Sequence, residues 1–385
     1  MDFPIPRLPV FDWKTFSGSR LSATPCVLAH AKTLFTSSGR ASILLALEML
    51  EVGPGDKVLV PTYHCLTMIS PIVARGATPV FYPLDDDGAP NLEWIRQVGR
   101  QGIQAILVAH FFGLPQPLAA VRQWCNQQGV RLIEDCAHAL FGASDDRAIG
   151  AWGDLAIASL TKFLPVPEGG CLVNNMVSDR ISSLQQPHAI AQVKACLDIV
   201  HVGVNHGRLQ GIGTLVKGLY GLLGMFKKTS RFQAPLAAPL MEEGLTIDAV
   251  RAHQGLTYAS RWIAGHLPRE RIVSQRRKNY VFFAQALCGL PGVRPLHPTL
   301  PENCAPYVFP LWVDQPDPGY AELRRLEFPM SRWDHLWPGV PTIEDDSGIK
   351  WSRHILQLAC HQDLTPDELK QMVKTVKEVY AGGGR

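Results

Sequence analysis

The strongest constraint on the fold is the alternation of apolar runs and helical stretches between residues 36 and 175. The apolar runs show little polar alternation, which is typical of strands that are buried on both faces of a sheet. In chain order they are KVLVP, TPVFY, QAILVAHFFG, RLIEDCAH, DLAIAS and CLVN. Segments with a helical pattern separate most of them. This order predicts an α/β fold with a mostly parallel sheet covered by helices.

Two changes in this rhythm predict the domain organisation. Residues 176–245 are rich in Gly and Leu and end in basic residues, so we interpret about 176–245 as an atypical insertion. The C-terminal region contains a candidate strand, YVFPLWV, and a long terminal helix. A chain of 385 residues is long enough for two packed domains. We therefore predict a large domain over 1–268 and a smaller α/β domain over 269–385.

Composition narrows the classes of function. The formal net charge is only +3, which argues against a nucleic-acid partner. Nine cysteines occur without a CxxC pair, which favours a reducing, cytoplasmic location over a disulfide framework. The N-terminal stretch is broken by prolines and does not read as a signal peptide, and no apolar run reaches membrane-spanning length.

Three positions lie where strands end or a helix begins. Asp135 follows the run RLIE, Lys162 follows DLAIAS, and SSGRAS (37–42) opens the first core helix. Because ligands bind at the carboxyl ends of parallel strands, these positions can converge on one small molecule. A helix N-terminus suits a phosphate, an Asp can hold a protonated ring nitrogen, and a desolvated lysine can form a Schiff base with an aldehyde. These are the three handles of pyridoxal 5'-phosphate.

Six segments carry a family resemblance in a fixed order along the chain. They are SSGRASILLAL, VLVPTYHC, HFFGLP, EDCAHALFG, SLTKFLPVPEGG and LQLACHQDLTPDEL. With them the chain resembles the DegT/DnrJ/StrS family of fold-type-I PLP-dependent sugar aminotransferases. The resemblance runs from about residue 30 to 378 and is poor over 176–245. It implies the aspartate aminotransferase-like fold and a pyridoxal phosphate cofactor.

The resemblance implies roles for three residues around the cofactor ring. Lys162 would be the catalytic residue that forms the Schiff base and moves protons once its amine is freed. Asp135 would pair with the pyridinium nitrogen, and His138 would hydrogen-bond the ring hydroxyl. Simpler readings remain open: Lys162 as a surface lysine, Asp135 as a cap or turn residue, and His138 as a satisfied core histidine.

The resemblance also implies a phosphate site and a residue that covers the ring. Gly39 and Arg40 would offer main-chain N–H groups to the phosphate, and Ser159 would add its hydroxyl, although the family usually has more residues between this serine and the lysine. Cys65 stands where the family usually has a stacking aromatic residue. We expect the neighbouring His64 to cover the ring. We predict no metal site, because the histidine spacing matches no common ligand pattern.

The implied reaction is transfer of an amino group from L-glutamate to a keto acceptor, with a keto sugar nucleotide as the favoured acceptor. The resemblance also implies a homodimer. The family's Asn-Tyr-Arg segment, which reaches the partner subunit's cofactor, is replaced here by MEEGLT. Two alternatives remain open: another PLP reaction, such as a lyase or condensation on a non-sugar substrate, and a non-catalytic regulatory member.

The stretch 209–228 is unusual because leucines recur at near-helical spacing among five glycines. Glycine lowers helix propensity by about 1 kcal/mol per residue, so a rigid free-standing helix is not expected. We predict that this stretch lies at the active-site mouth or at the dimer interface. Contact with a membrane surface is the alternative.

Overall fold

The computed structural model of the chain describes residues 4–99, 101–177, 183–213, 218 and 247–381. Most of the predicted closing stretch, 209–228, lies outside the described residues. None of the helices in these ranges is long and apolar enough to span a membrane.

A seven-stranded sheet forms the centre of the larger part of the molecule, in the spatial order β1-β9-β8-β5-β4-β2-β3. Its strands are β1 (Thr33–Thr36), β2 (Lys57–Pro61), β3 (Thr78–Tyr82), β4 (Ile103–Ala109), β5 (Arg131–Asp135), β8 (Leu155–Ser159) and β9 (Gly170–Asn174). A two-stranded hairpin, β6 (Ala143–Ser144) and β7 (Arg147–Ala148), precedes β8. Strands β3, β2, β4, β5 and β8 run parallel, whereas β9 is antiparallel to both β8 and β1. The prediction of an α/β fold with a mostly parallel sheet is confirmed.

Both faces of this sheet are buried. Leu155 and Ile157 of β8 belong to one apolar core, whereas Ala156 and Ala158 belong to another. Because successive strand residues point to opposite faces, the two cores lie on opposite sides of the sheet. The accompanying helices are α1 (Gly39–Met49), α2 (Leu66–Ala74), α3 (Leu92–Val98), α4 (Ala119–Gln128), α5 (Ala189–Asn205), α6 (Ala249–Ala252), α7 (Tyr258–His266) and α8 (Arg269–Ala286).

A second, antiparallel sheet has the order β10-β11-β13-β12. Its strands are β10 (Val293–Pro295), β11 (Val308–Val313), β12 (Met330–Ser331) and β13 (Ile355–Ala359), with helices α9 (Gly319–Arg325), α10 (Ser347–His354) and α11 (Pro366–Ala381). Tyr280 and Phe283 of α8 pack into the apolar core of this sheet. The predicted domain division after residue 268 stays a prediction.

The carboxyl ends of β2, β4, β5 and β8 lie along one edge of the large sheet, because these strands are parallel. The C-terminal region packs against this edge. The amide of Gln357, in β13, donates to the hydroxyl of Tyr63 at 2.9 Å, and the N–H of Trp337 donates to Nε2 of His64 at 3.0 Å. The site described below is therefore enclosed by both sheets.

Candidate active site

Lys162 ends a single 3-10 turn, Leu160–Lys162, that follows β8 directly. The turn is fixed by the N–H of Leu160, which donates to the carbonyl of Gly169 at 2.9 Å. Nζ of Lys162 lies 5.3 Å from the centre of the Tyr307 ring. Burial lowers the pKa of Lys162, and the nearby Cys65 and Asp135 partly oppose this change. A lysine in this setting has a larger neutral, nucleophilic fraction than a solvated one.

Asp135 is the last residue of β5 and is buried. Its Oδ1 accepts the N–H of Ala137 at 2.8 Å. Burial raises the pKa of Asp135, while this hydrogen bond and the charge of Lys162 act in the opposite direction. A buried carboxylate of this kind favours a cation or a protonated nitrogen beside it.

Glu134, the preceding residue, is buried in different surroundings. Its Oε1 accepts hydrogen bonds from His110 at 3.0 Å and from the N–H of Gly150 at 2.6 Å. Its Oε2 accepts from the N–H groups of Trp152 and Gly153 at 2.9 and 3.1 Å. Burial alone would raise the pKa of Glu134, but these donors hold the pKa below its ordinary value. The carboxylate is therefore a structural anchor for the 150–153 loop.

His110, Glu134 and Cys136 also bring ligand-type atoms within 4.8 Å of one another. His110 accepts the N–H of Gln116 on Nδ1 at 2.8 Å and donates from Nε2 to Glu134. Its two nitrogens are thus engaged within the protein, and these hydrogen bonds explain the cluster without a metal ion.

His138 is 5% exposed and has an open hydrogen-bonding position. Its ring centre lies 4.5 Å from that of Tyr307 and 4.8 Å from that of Trp333. Nδ1 is buried and has no hydrogen-bond partner in the described part of the chain. Burial, and secondarily the charge of Lys162, lower the pKa of His138 well below its ordinary value, so the ring is neutral. A buried nitrogen without a partner costs about 1–3 kcal/mol, which a bound polar atom would offset.

The turn before α1 packs closely against the end of β8. Ser38 caps α1 by accepting the N–H of Ala41 on Oγ at 3.1 Å. A Cβ atom on Gly39 would lie 3.2 Å from Cβ of Ser159, and one on Gly170 would overlap the Ser38 carbonyl. Ser159 therefore lies beside the N-terminus of α1, despite the short spacing to the lysine. Arg40 is the second residue of this helix.

His64 has a different environment from the one expected. Its Nδ1 donates to the carbonyl of Pro61 at 3.0 Å, its Nε2 accepts from Trp337, and its ring stacks on Phe81 with centres 5.1 Å apart. Burial lowers the pKa of His64 to about 4. This placement argues against His64 as the ring cover, since both nitrogens and one face are already engaged. The next residue, Cys65, instead lies close enough to influence the pKa of Lys162.

The structure thus brings Lys162, Asp135 and His138 together and adds two residues that sequence reasoning missed. Tyr307 precedes β11 and Trp333 follows β12, so both come from the C-terminal region. Their only sequence signal was an aromatic residue at the boundary of an apolar strand. No spacing rule connects them with Lys162.

Comparison with known proteins finds a matching family model over part of the chain. Residues 27–206 match the model of the DegT/DnrJ/EryC1/StrS aminotransferase family. The chain is 29% identical over 176 residues to GDP-perosamine synthase of Vibrio cholerae, which covers 44% of this chain and 47% of the relative. It is 35% identical over 124 residues to UDP-N-acetyl-3-dehydro-alpha-D-glucosamine 3-aminotransferase of Acidithiobacillus ferrooxidans, covering 32% and 34%. The matched stretch thus spans about half, or less, of these curated relatives.

Solved structures show the fold over nearly the whole chain. The aminotransferase TlmJ of Streptoalloteichus hindustanus superposes with a TM-score of 0.61 at 19% identity, covering 91% of this chain and 86% of TlmJ. Spr1654 of Streptococcus pneumoniae, in its PLP form, gives a TM-score of 0.64 at 16% identity and covers 99% of both chains. The fold is therefore that of the fold-type-I aminotransferases. Residues 27–206, just under half of the chain, are similar to the DegT/DnrJ/EryC1/StrS aminotransferase family.

Proposed function

We propose that the protein is a pyridoxal phosphate-dependent aminotransferase that moves an amino group from L-glutamate to a keto sugar nucleotide. One observation carries the proposal: Lys162, Asp135 and the unpaired Nδ1 of His138 lie together at the carboxyl edge of the sheet. The acceptor class is supported by the relatives, whose names describe amino-sugar synthesis. The similarity covers half or less of each of these relatives, so a keto sugar nucleotide is proposed here as the acceptor.

The residues present fit pyridoxal phosphate. Asp135 would hold the ring nitrogen, and His138 would use its unpaired nitrogen for the ring hydroxyl. The start of α1, with the main chain of Gly39 and Arg40, would hold the phosphate together with the hydroxyl of Ser159. When bound, the cofactor supplies an electron sink for the bonds at the amino-bearing carbon.

The protein's own groups would then orient the substrate and move its protons. Burial lowers the pKa of Lys162, so a larger fraction of its Nζ is neutral and able to accept a proton than in a solvated lysine. Tyr307 and Trp333 flank His138 and exclude water from that side of the site. Cys65 lies close enough to Lys162 to affect its pKa and stands where the family usually has an aromatic residue, so we propose that it covers the ring in place of His64.

We also propose that the protein is a homodimer in the cytoplasm. The family resemblance supports a homodimer, and the nine cysteines, all free thiols, support a reducing cytoplasm. Sedimentation of the active protein at assay concentration would show a dimer. An active monomer would contradict this part.

Absorbance spectroscopy of the purified protein tests the reaction. We expect a bound chromophore that L-glutamate converts to the pyridoxamine form and that a keto sugar nucleotide restores. Lys162→Ala should abolish the conversion, whereas Lys57→Ala should not, because Lys57 is exposed at the opposite end of β2. A chromophore that no amino donor converts would favour another PLP reaction. Absence of any bound chromophore after reconstitution would favour a regulatory protein.

A further inference from the structure

Arg276 is a fully buried cation that joins the Lys162 turn to the segment before β11. It lies in the middle of α8. Its Nη2 donates to the carbonyl oxygen of Lys162 at 2.8 Å. Its Nη1 donates to the carbonyl oxygens of Pro306 and Tyr307 at 3.0 and 3.1 Å. One planar group thus holds the backbone on both sides of the candidate site.

The remaining contacts of Arg276 fix the guanidinium itself. Its Nε donates to Oε1 of Gln362 at 2.8 Å, and its central carbon lies 4.4 Å above the ring of Phe163. The amide of Gln362 in turn donates to the carbonyl of Phe163 at 3.0 Å. Burial lowers the pKa of Arg276 to about 10, so it remains a cation at neutral pH.

These acceptors are neutral, and this matters for the role of Arg276. In the described chain its hydrogen bonds end on three carbonyl oxygens and one amide oxygen, not on a carboxylate. Burying a charge without an ion pair is costly. The rigid fork of five N–H donors does, however, fix several acceptors in one geometry, which a lysine could not do.

The two backbone positions that Arg276 holds carry the groups that surround the reactive amine. The Tyr307 ring lies 5.3 Å from Nζ of Lys162 and 4.5 Å from the His138 ring. Asp135 and Cys65 are the other titratable groups that act on Lys162. A shift of either backbone segment would change how closely the amine is enclosed.

We propose that Arg276 is a positioning residue that fixes the Lys162 backbone against Tyr307 and thereby keeps the Lys162 amine enclosed. This role adds to the proposed function. It rests on that function only for what the Lys162 amine does in the reaction. Arg276 itself does not touch the reacting atoms. Its effect passes through the two segments that it joins.

The pKa of Lys162 in the cofactor-free, full-length protein tests this directly. It is obtained from the pH dependence of the acetylation of Lys162 by acetic anhydride, followed by peptide mass spectrometry. In Arg276→Gln, water should reach the amine and its pKa should rise towards the ordinary lysine value. We expect the neutral fraction at pH 8 to fall by about threefold or more, which corresponds to about half a pKa unit.

Tyr280→Phe is the matched control. Tyr280 is buried, lies four residues later in α8, and its hydroxyl donates to the carbonyl oxygen of His297 at 2.7 Å. Its loss should destabilise the same helix but leave the pKa of Lys162 unchanged. Gln362→Leu, which removes the acceptor of Nε, provides a milder variant should Arg276→Gln not fold, and should shift the pKa in the same direction.

An unchanged Lys162 pKa in the folded Arg276 variant, or in Gln362→Leu if that variant alone folds, would overturn the proposal. An equal shift in Tyr280→Phe would do the same, because it would show a general effect of destabilisation. The experiment contains no cofactor or substrate. Its outcome is therefore independent of whether the proposed amino transfer occurs.

Discussion

Two adjacent carboxylates on opposite sides of strand β5, Glu134 and Asp135, differ in their hydrogen bonds and in the direction of their pKa shifts. Glu134 accepts four hydrogen bonds and anchors the loop that follows the β6–β7 hairpin. Asp135 accepts the N–H of Ala137 and faces the region of Lys162. A buried carboxylate whose oxygens all accept hydrogen bonds from the protein stabilises the fold. A carboxylate that keeps an acceptor position beside a buried amine can bind a ligand. Sequence adjacency thus says little about function when the residues point to different faces.

The histidines repeat this contrast. His64 and His361 each use both ring nitrogens within the protein: His64 on Pro61 and Trp337, and His361 on Pro6 and Asp363. His138 is equally buried but leaves Nδ1 without a partner in the described chain. The difference separates the two structural histidines from one that has a nitrogen left for a ligand.

Substitution of the two carboxylates should give the largest difference between an effect on turnover and an effect on stability. Asp135→Asn should lower turnover by about 10²- to 10³-fold, the size expected for loss of one preorganised electrostatic partner, and should change stability little. Glu134→Gln should lower the free energy of unfolding by about 3 kcal/mol, because it breaks a buried, charge-assisted network. Its turnover per folded molecule should stay within about tenfold of the original. Single-turnover kinetics and chemical denaturation measure the two effects.

Either of two results would contradict the difference between these two carboxylates. Near-normal single turnovers in Asp135→Asn would remove Asp135 from the site. A Glu134→Gln protein of unchanged stability would show that its hydrogen bonds contribute little.

His64 and His361, whose ring nitrogens are all hydrogen-bonded within the protein, should have a smaller, pH-dependent effect on the free energy of unfolding. Burial lowers the pKa of His64 to about 4 and that of His361 to about 3, against an ordinary value of 6.5. The folded state therefore binds fewer protons, and the stability contribution present above pH 6.5 is lost as the pH falls. At pH 5 each histidine should cost about 2 kcal/mol. Denaturation at pH 7 and pH 5 should show that His64→Gln reduces this pH dependence by about 2 kcal/mol.

If His64→Gln retained the full pH dependence, other groups would have to cause it. The assignment of His64 as a neutral structural residue would then fail.

The smallest effect should come from His138. His138→Gln should lower turnover by about tenfold, since the hydrogen bond proposed to the cofactor hydroxyl would be weakened by about 1.4 kcal/mol. His64→Gln should leave turnover per folded molecule unchanged. A larger loss of turnover in the His64 variant than in the His138 variant would restore His64 as the residue that covers the ring.

Much of the fold followed from the sequence because it depends on local patterns. Apolar runs of strand length, separated by helical segments, predicted the parallel sheet, and the strand ends at Asp135 and Lys162 predicted the edge at which they meet. The antiparallel direction of β9 was not evident, because a strand sequence does not state its direction.

The rest of the site depends on contacts between distant parts of the chain. Tyr307 and Trp333 approach His138 only because the small sheet packs on the strand edge. The choice between His64 and Cys65 was also beyond sequence, because adjacent side chains in an extended segment point in different directions. Nε2 of His64 accepts from Trp337, far along the chain, and its ring stacks on Phe81 of a neighbouring strand.

The proposed function depends most on Lys162 as the amine that binds pyridoxal phosphate. The direct measurement is borohydride reduction of the reconstituted protein, followed by proteolysis and mass spectrometry of every lysine-containing peptide. We expect the pyridoxyl group to be recovered on Lys162, and we expect Lys162→Ala to retain none after denaturation. Recovery of the label on another lysine, or no covalent label on a protein shown to contain the cofactor, would contradict it.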